Sequence, residues 1–148
     1  MEERFETFTV LIAKINRNIK KIKNQEMVEH NLRNSHISCL YYLYRAPLTA
    51  TELCERCEED KATISRSLDY LEKNGYVFYN EGQKKSYKKE IFLTEKGKLI
   101  GDKIYCKVNK VLEQISLELG EDERTVFYAS LATISDKLEE IVNFGIIN

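Results

Sequence analysis

The sequence predicts a mainly α-helical chain with one small β-hairpin, and three observations predict it. Apolar residues recur at helical spacing over most of the length, as the stripes described below show. Only one Pro and six Gly interrupt the 148 residues. Two short β-prone runs, 76–79 and 90–93, sit near one another between helical stretches. With 43% apolar and 32% charged residues, collagen-like and disordered chains are excluded. A chain this long is expected to form one domain, 1–148, burying roughly 68–70% of its unfolded surface. No apolar run approaches the roughly 18 residues of a membrane span. The opening Met1-Glu2-Glu3-Arg4 leads into an amphipathic stretch, not a signal-peptide core. The expectation is a soluble, cytoplasmic protein with no membrane partner.

The first helix is read from Phe5, Phe8, Ile12, Ile15, Ile19 and Ile22, whose alternating steps of three and four make a heptad seam. The last helix repeats the pattern at Phe127, Leu131, Ile134, Leu138 and Ile141. Such narrow stripes serve either packing within one subunit or helix exchange across a dimer. Between them, Ile37, Leu40, Leu43 and Tyr44 share a helical face that ends near Ala46-Pro47, because proline disfavours helix in the residue before it. Thr49-Ala50-Thr51-Glu52 reads as a capping box opening a short helix that ends near Cys57. After the acidic turn Glu58-Glu59-Asp60, a further helix begins at Lys61 with Asp60 as N-cap. It stops at Asn74-Gly75, where glycine tolerates a left-handed backbone. The runs at 76–79 and 90–93 then form a hairpin with an extended Lys-rich tip. Thr94 caps a long helix carrying Ile100, Ile104, Val108, Val111, Ile115 and Leu119, and Gly120 separates it from the last helix.

Two short helices about a tight turn, followed at once by a hairpin, describe a winged helix-turn-helix. The net charge of −1 conceals a basic middle: residues 61–98 hold nine basic against five acidic side chains. On the helix from Lys61, Ile64, Leu68 and Leu71 anchor one face inward. The other face collects Ala62, Ser65, Arg66, Asp69 and Lys73, with Lys61 and Thr63 beside it. Small and polar side chains let a helix backbone approach base edges in a major groove, and an arginine can bridge the two guanine acceptors. The hairpin and the residues after it add Lys84, Lys85, Lys88, Lys89, Lys96 and Lys98 as a second, phosphate-contacting arm.

The runs Leu48-Thr49-Ala50-Thr51-Glu52-Leu53, Asp60-Lys61-Ala62-Thr63-Ile64-Ser65-Arg66, Leu71-Glu72-Lys73-Asn74-Gly75-Tyr76-Val77 and Leu93-Thr94-Glu95-Lys96-Gly97 resemble the MarR family of winged-helix transcriptional regulators. The resemblance implies a DNA-binding lobe over 32–98 and a helical dimerisation region over 1–31 and 99–148. It implies a homodimeric repressor on a pseudo-palindromic double-stranded operator, released by a small-molecule effector. By position, Lys61, Ala62, Thr63, Ser65 and Arg66 are the base-reading segment, and Lys84, Lys85 and Lys88 belong to the wing. The family's wing often carries an Asp-Arg-Arg-like triplet; here the stretch is Lys84-Lys85-Ser86-Tyr87-Lys88-Lys89. Lysine supplies point charge without the flat fork suited to narrow minor grooves, which favours phosphate contact.

The resemblance also implies an effector cleft near His36, Cys39, Tyr41 and Tyr42. Cys54-Glu55-Arg56-Cys57 is a Cys-x-x-Cys inside a helix, where the ordinary reading is two small buried hydrophobes. Cys39 and Cys106 have no partner at a recognisable spacing. A thiol-redox or metal-responsive regulator on the same scaffold is one alternative, and a winged-helix protein-interaction module, needing an apolar patch at Ala62 and Tyr70, is the other. No metal site, cofactor or enzymatic activity is expected: phosphate-cradling glycine loops, Gly-x-Ser-x-Gly elbows and His-Glu-x-x-His pairs are missing from the sequence.

Overall fold

Helix α1 (Glu2–Gln25) opens the structure, a computed structural model that describes residues 2–25, 27–80 and 88–146. A 3-10 turn (Val28–His30) leads to α2 (Asn34–Arg45), α3 (Ala50–Cys57) and α4 (Lys61–Lys73). Strands β1 (Val77–Tyr79) and β2 (Ile91–Leu93) follow, then α5 (Glu95–Glu118) and α6 (Glu121–Phe144). The chain divides into two compact units, Met1–Val108 and Asn109–Asn148.

In the first unit each short element starts and stops where its capping residues dictate. Thr49 accepts the Glu52 amide at 3.3 Å, and the Glu52 carboxylate accepts the Thr49 amide at 2.8 Å, so α3 begins with a closed capping box. Its end turns through Glu58 at φ 51°, a left-handed residue without glycine's freedom. Helix α4 stops at Asn74, and Gly75 at φ 74° lets the Tyr76 amide reach back to the Leu71 carbonyl at 2.8 Å.

Ile37 and Leu40 of α2, Leu53 of α3, Ile64 and Leu71 of α4 and Ile91 of β2 are all fully buried and form the centre of this unit. The strands pair antiparallel in the register Val77↔Leu93, Phe78↔Phe92 and Tyr79↔Ile91. Leu48 bridges to Ile91, whose amide donates to the Leu48 carbonyl at 2.9 Å, tying the post-proline segment to the sheet. Thr94 fastens the sheet base to two helices. Its hydroxyl donates to the Gly75 carbonyl and accepts the Gly97 amide at 3.1 Å, capping α5. Gly97 lies so close to β1 that a Cβ there would collide with the Tyr76 carbonyl oxygen. The tip of the hairpin, including Lys84 and Lys85, lies outside the described residues.

Helix α1 packs on α2 at one end yet leaves Ile12, Ile15 and Ile19 between 41% and 48% exposed. In the second unit, Gly120 is the N-cap of α6 and its amide donates to the Glu123 carboxylate at 2.9 Å. No described residue of α6 is buried, and Phe127, Ile134 and Leu138 of its heptad stripe stay 39–50% exposed. Phe8, Ile22, Leu131 and Ile141 of the same seams are half-buried, so each seam is only partly covered within the single chain. No helix among the described residues is long and apolar enough to cross a membrane.

Candidate nucleic-acid interface

The site is built on α4, which two opposed chemistries hold in place. Ile64, Leu68 and Leu71 bury one side of the helix, while Lys61, Ala62, Ser65, Arg66, Asp69 and Lys73 are exposed on the other. At its start the Asp60 carboxylate accepts the Thr63 amide at 2.7 Å. That bond, strongest among several, holds the Asp60 carboxyl below its ordinary range, so the group closest to the helix start is spent on the cap. Half-buried Thr63 does a second job. Its hydroxyl accepts a hydrogen bond from Arg66 Nη2 at 3.3 Å, which directs the guanidinium along the helix face toward its N-terminal turn. Arg66 is thereby steered while staying exposed, as base readout requires.

Three contacts lock α4 to the start of α2. Ser67, buried, donates to the Ser35 hydroxyl at 2.9 Å. The Tyr70 ring stacks on His36 with centroids 4.3 Å apart and planes 7° from parallel, and its hydroxyl donates to the Asn31 carbonyl at 3.0 Å. His36 Nδ1 in turn accepts the Arg33 amide at 3.0 Å, which reserves that nitrogen as an unprotonated acceptor. Burial, with the Arg33 charge nearby, pulls the imidazole below its ordinary pKa, so His36 is a neutral structural ring. Sequence reading treated Tyr70 as an apolar candidate for an exposed patch; its ring is instead spent on His36 and its hydroxyl on Asn31.

These same residues line a cleft of about 600 Å³ between the 31–36 segment and α4. Arg33, His36, Thr63, Arg66, Ser67 and Tyr70 face it, and its lining holds two guanidinium groups and no carboxylate. Of the four residues expected around an effector cleft, only His36 lines this one. Cys39 is sealed in the core, and Tyr41 and Tyr42 form a separate, half-buried aromatic pair 5.2 Å apart, with Tyr105 6.4 Å from Tyr41.

The lysines divide by role. Lys96 lies 4.2 Å from the Tyr76 ring centroid and donates to the Asn74 carbonyl at 2.8 Å, closing the end of α4. Lys98 pairs with Glu95 at 3.0 Å. Lys88 is exposed where the described hairpin resumes, and Lys89 sits 5.7 Å from the Tyr79 ring centroid. Among the described residues no cluster of His, Cys, Asp or Glu is placed to hold a metal ion. Cys39 is fully buried, and Cys54 and Cys57 pack half-buried against the same core.

Similarity to known proteins agrees with this geometry. The MarR family model matches residues 30–85, the span holding the cleft and α4. The HTH-type transcriptional regulator YwoH of Bacillus subtilis (strain 168) is 27% identical over 121 residues, covering 79% of this chain and 88% of YwoH. The fold is shared with NMB1585, a MarR family regulator from Neisseria meningitidis (TM-score 0.81, 19% identity, 95% of this chain and 96% of that one). It is also shared with a putative MarR family regulator from Listeria monocytogenes complexed with 26mer DNA (TM-score 0.76, 23% identity, 93% and 94% coverage). Residues 30–85 thus match the MarR family model, and the chain shares the winged helix-turn-helix fold of these solved regulators.

Proposed function

We propose that this chain is a homodimeric transcriptional repressor that reads a pseudo-palindromic double-stranded DNA operator with α4 and grips flanking phosphates with its wing. One observation carries the reading: α4 exposes a small-and-basic face around a steered Arg66 while its aliphatic face is buried. That is the division a helix needs to lie in a major groove without leaving its core. The Listeria relative, complexed with 26mer DNA, adds support by kinship. In this reading Lys61, Ala62, Thr63, Ser65 and Arg66 face bases or adjacent phosphates, and Lys84, Lys85 and Lys88 contact phosphate.

The exposed stripes of α1 and α6 support dimerisation, since heptad seams left open in one chain bury by pairing with a second. The residues 1–31 and 99–148 supply that region, and 32–98 the DNA lobe. Half-sites then fall about one helical turn apart, roughly 10 bp between centres. An effector in the Arg33–Arg66 cleft would be a small anion, and its contact with Arg66 and Thr63 would compete directly with DNA. The protein-interaction alternative loses its footing because Tyr70 is occupied. Selection of bound duplexes from a random pool, followed by footprinting, tests the proposal: a two-fold-related consensus is expected, and an unenriched pool refutes it.

A further inference from the structure

The cleft between the 31–36 segment and α4 is lined by hydrogen-bond donors that no described residue accepts. His36 is only 7% exposed and lines it. Its Nδ1 accepts the Arg33 amide, so the neutral ring carries its one proton on Nε2. Among the described residues nothing accepts from that Nε2. A buried donor without an acceptor costs free energy until a ligand or water completes it. Ser35 is in the same situation. Its oxygen accepts the Ser67 hydroxyl at 2.9 Å, and its own proton has no acceptor among the described residues. Both side chains belong to the first turn of α2, where the backbone amides lack partners within the helix. The exposed Arg33 guanidinium lines the cleft beside them, and Arg66 lines it from α4. Such donors, at the positive end of a helix with two guanidinium groups and no carboxylate, fit an oxyanion.

We propose that Arg33, Ser35 and His36 form a seat for one phosphate of the DNA backbone, a contact separate from base reading by α4 and from the wing. Two features favour a backbone phosphate over a free anion. The cleft, about 600 Å³, is far roomier than one phosphate and admits the sugars on either side of it. Thr63 and Arg66 of α4 line the same cleft, so a strand seated there runs beside the face that α4 turns to bases. The phosphate oxygens accept from His36 Nε2 and Ser35 Oγ, while the Arg33 guanidinium pairs with the charge. A contact of this kind carries no sequence information but fixes the position of α4 in the groove. The backbone as the source of the phosphate rests on the DNA-binding function proposed above; the oxyanion seat stands on the donor set alone.

The test uses the full-length protein and the selected duplex with one phosphate replaced by a neutral methylphosphonate, moved position by position. One position per half-site is expected to weaken wild-type binding about tenfold or more, the scale of a lost charge-assisted hydrogen bond. The same replacement should cost Arg33→Ala nothing further. Wild type and Arg33→Ala losing equally at every position overturns the backbone contact. On unmodified DNA, Arg33→Ala should weaken selected and scrambled duplexes by the same factor and flatten the salt slope by roughly 0.9. Loss confined to the selected duplex overturns the proposal, since Arg33 would then read a base. Arg33 is exposed and begins α2 through its backbone groups, so the variant should keep the wild-type unfolding midpoint. Arg33→Lys keeps the charge and should recover most of the affinity; no recovery overturns the charge contact. Inorganic phosphate added to the protein alone should shift the His36 Nε2–H resonance. A protein that shows this shift but binds no duplex overturns the DNA-binding function and leaves the oxyanion seat in place. A protein that shows neither overturns both.

Discussion

In the proposed reading, recognition turns on Arg66. Its guanidinium is exposed yet steered by the Thr63 hydroxyl, so less side-chain freedom is lost when it meets a base. Arg66→Ala is expected to cost about 1–3 kcal/mol of binding and to relax preference at one position per half-site. Affinities measured on single-base variants of the operator check this, and uniform loss across all sequences would make Arg66 a phosphate contact. Arg66→Lys should not restore discrimination, because an ammonium cannot make the bidentate fork. His36 gives a second residue-scale expectation. Its pKa is lowered in the folded chain, chiefly by burial, so below the unfolded value of about 6.5 the unfolded state binds more protons. Its contribution to stability is therefore complete at pH 8 and lost as pH falls through about 6.5 toward the lowered folded value. Urea midpoints between pH 8 and 5.5 should decline in the wild type and flatten in His36→Gln; parallel curves would contradict the neutral-ring assignment. Neither the His36–Tyr70 stack nor the Ser35–Ser67 bond was legible in the sequence. The serines stand 32 residues apart, and nothing local marks a residue for a partner on another helix.

Elements were far more legible, because their limits are set by groups three or four residues away. The Thr49–Glu52 box, the Asp60 cap, the Pro47 stop and the Gly75 turn are all short-range chemistry, and each appears where the sequence put it. The sequence could not disclose the Leu48–Ile91 bridge or the diversion of Lys96 to the α4 terminus, since both depend on how the hairpin docks. Gly97 sits at that docking point. Gly97→Ala forces a methyl against the Tyr76 carbonyl, and overpacking of this kind destabilises by about 1–3 kcal/mol. Thermal unfolding of the variant measures it; an unchanged midpoint would mean that α5 and the hairpin base slide apart freely. The wing is tested by salt. Replacing Lys84, Lys85 and Lys88 together by Ala should lower affinity on every duplex. It should also flatten the slope of log K against log salt by roughly 0.9 for each phosphate contact removed. A slope equal to the wild type's would take the wing out of the interface.

At the scale of the whole molecule the open question is assembly. Ile12, Ile15 and Ile19 of α1 and Phe127, Ile134 and Leu138 of α6 all leave large apolar side chains in water. Fully burying one such side chain is worth roughly 1.5–3 kcal/mol, so a shared seam of this length can stabilise a dimer. Ile15→Glu places a charge in that seam and should shift the protein from dimer to monomer in sedimentation equilibrium at micromolar concentration. A wild type that is already monomeric there would contradict the dimer and, with it, the two-fold operator. Periodicity made these stripes visible in the sequence, but periodicity does not say what covers them.

The most direct test of the account is a competition between the selected duplex and a scrambled one of equal length, at one fixed salt concentration. If α4 reads bases, wild-type protein should prefer the selected duplex by about 10³-fold or more, and Arg66→Ala should lose part of that ratio. Equal affinity for both duplexes, in wild type and variant alike, would contradict base reading by α4.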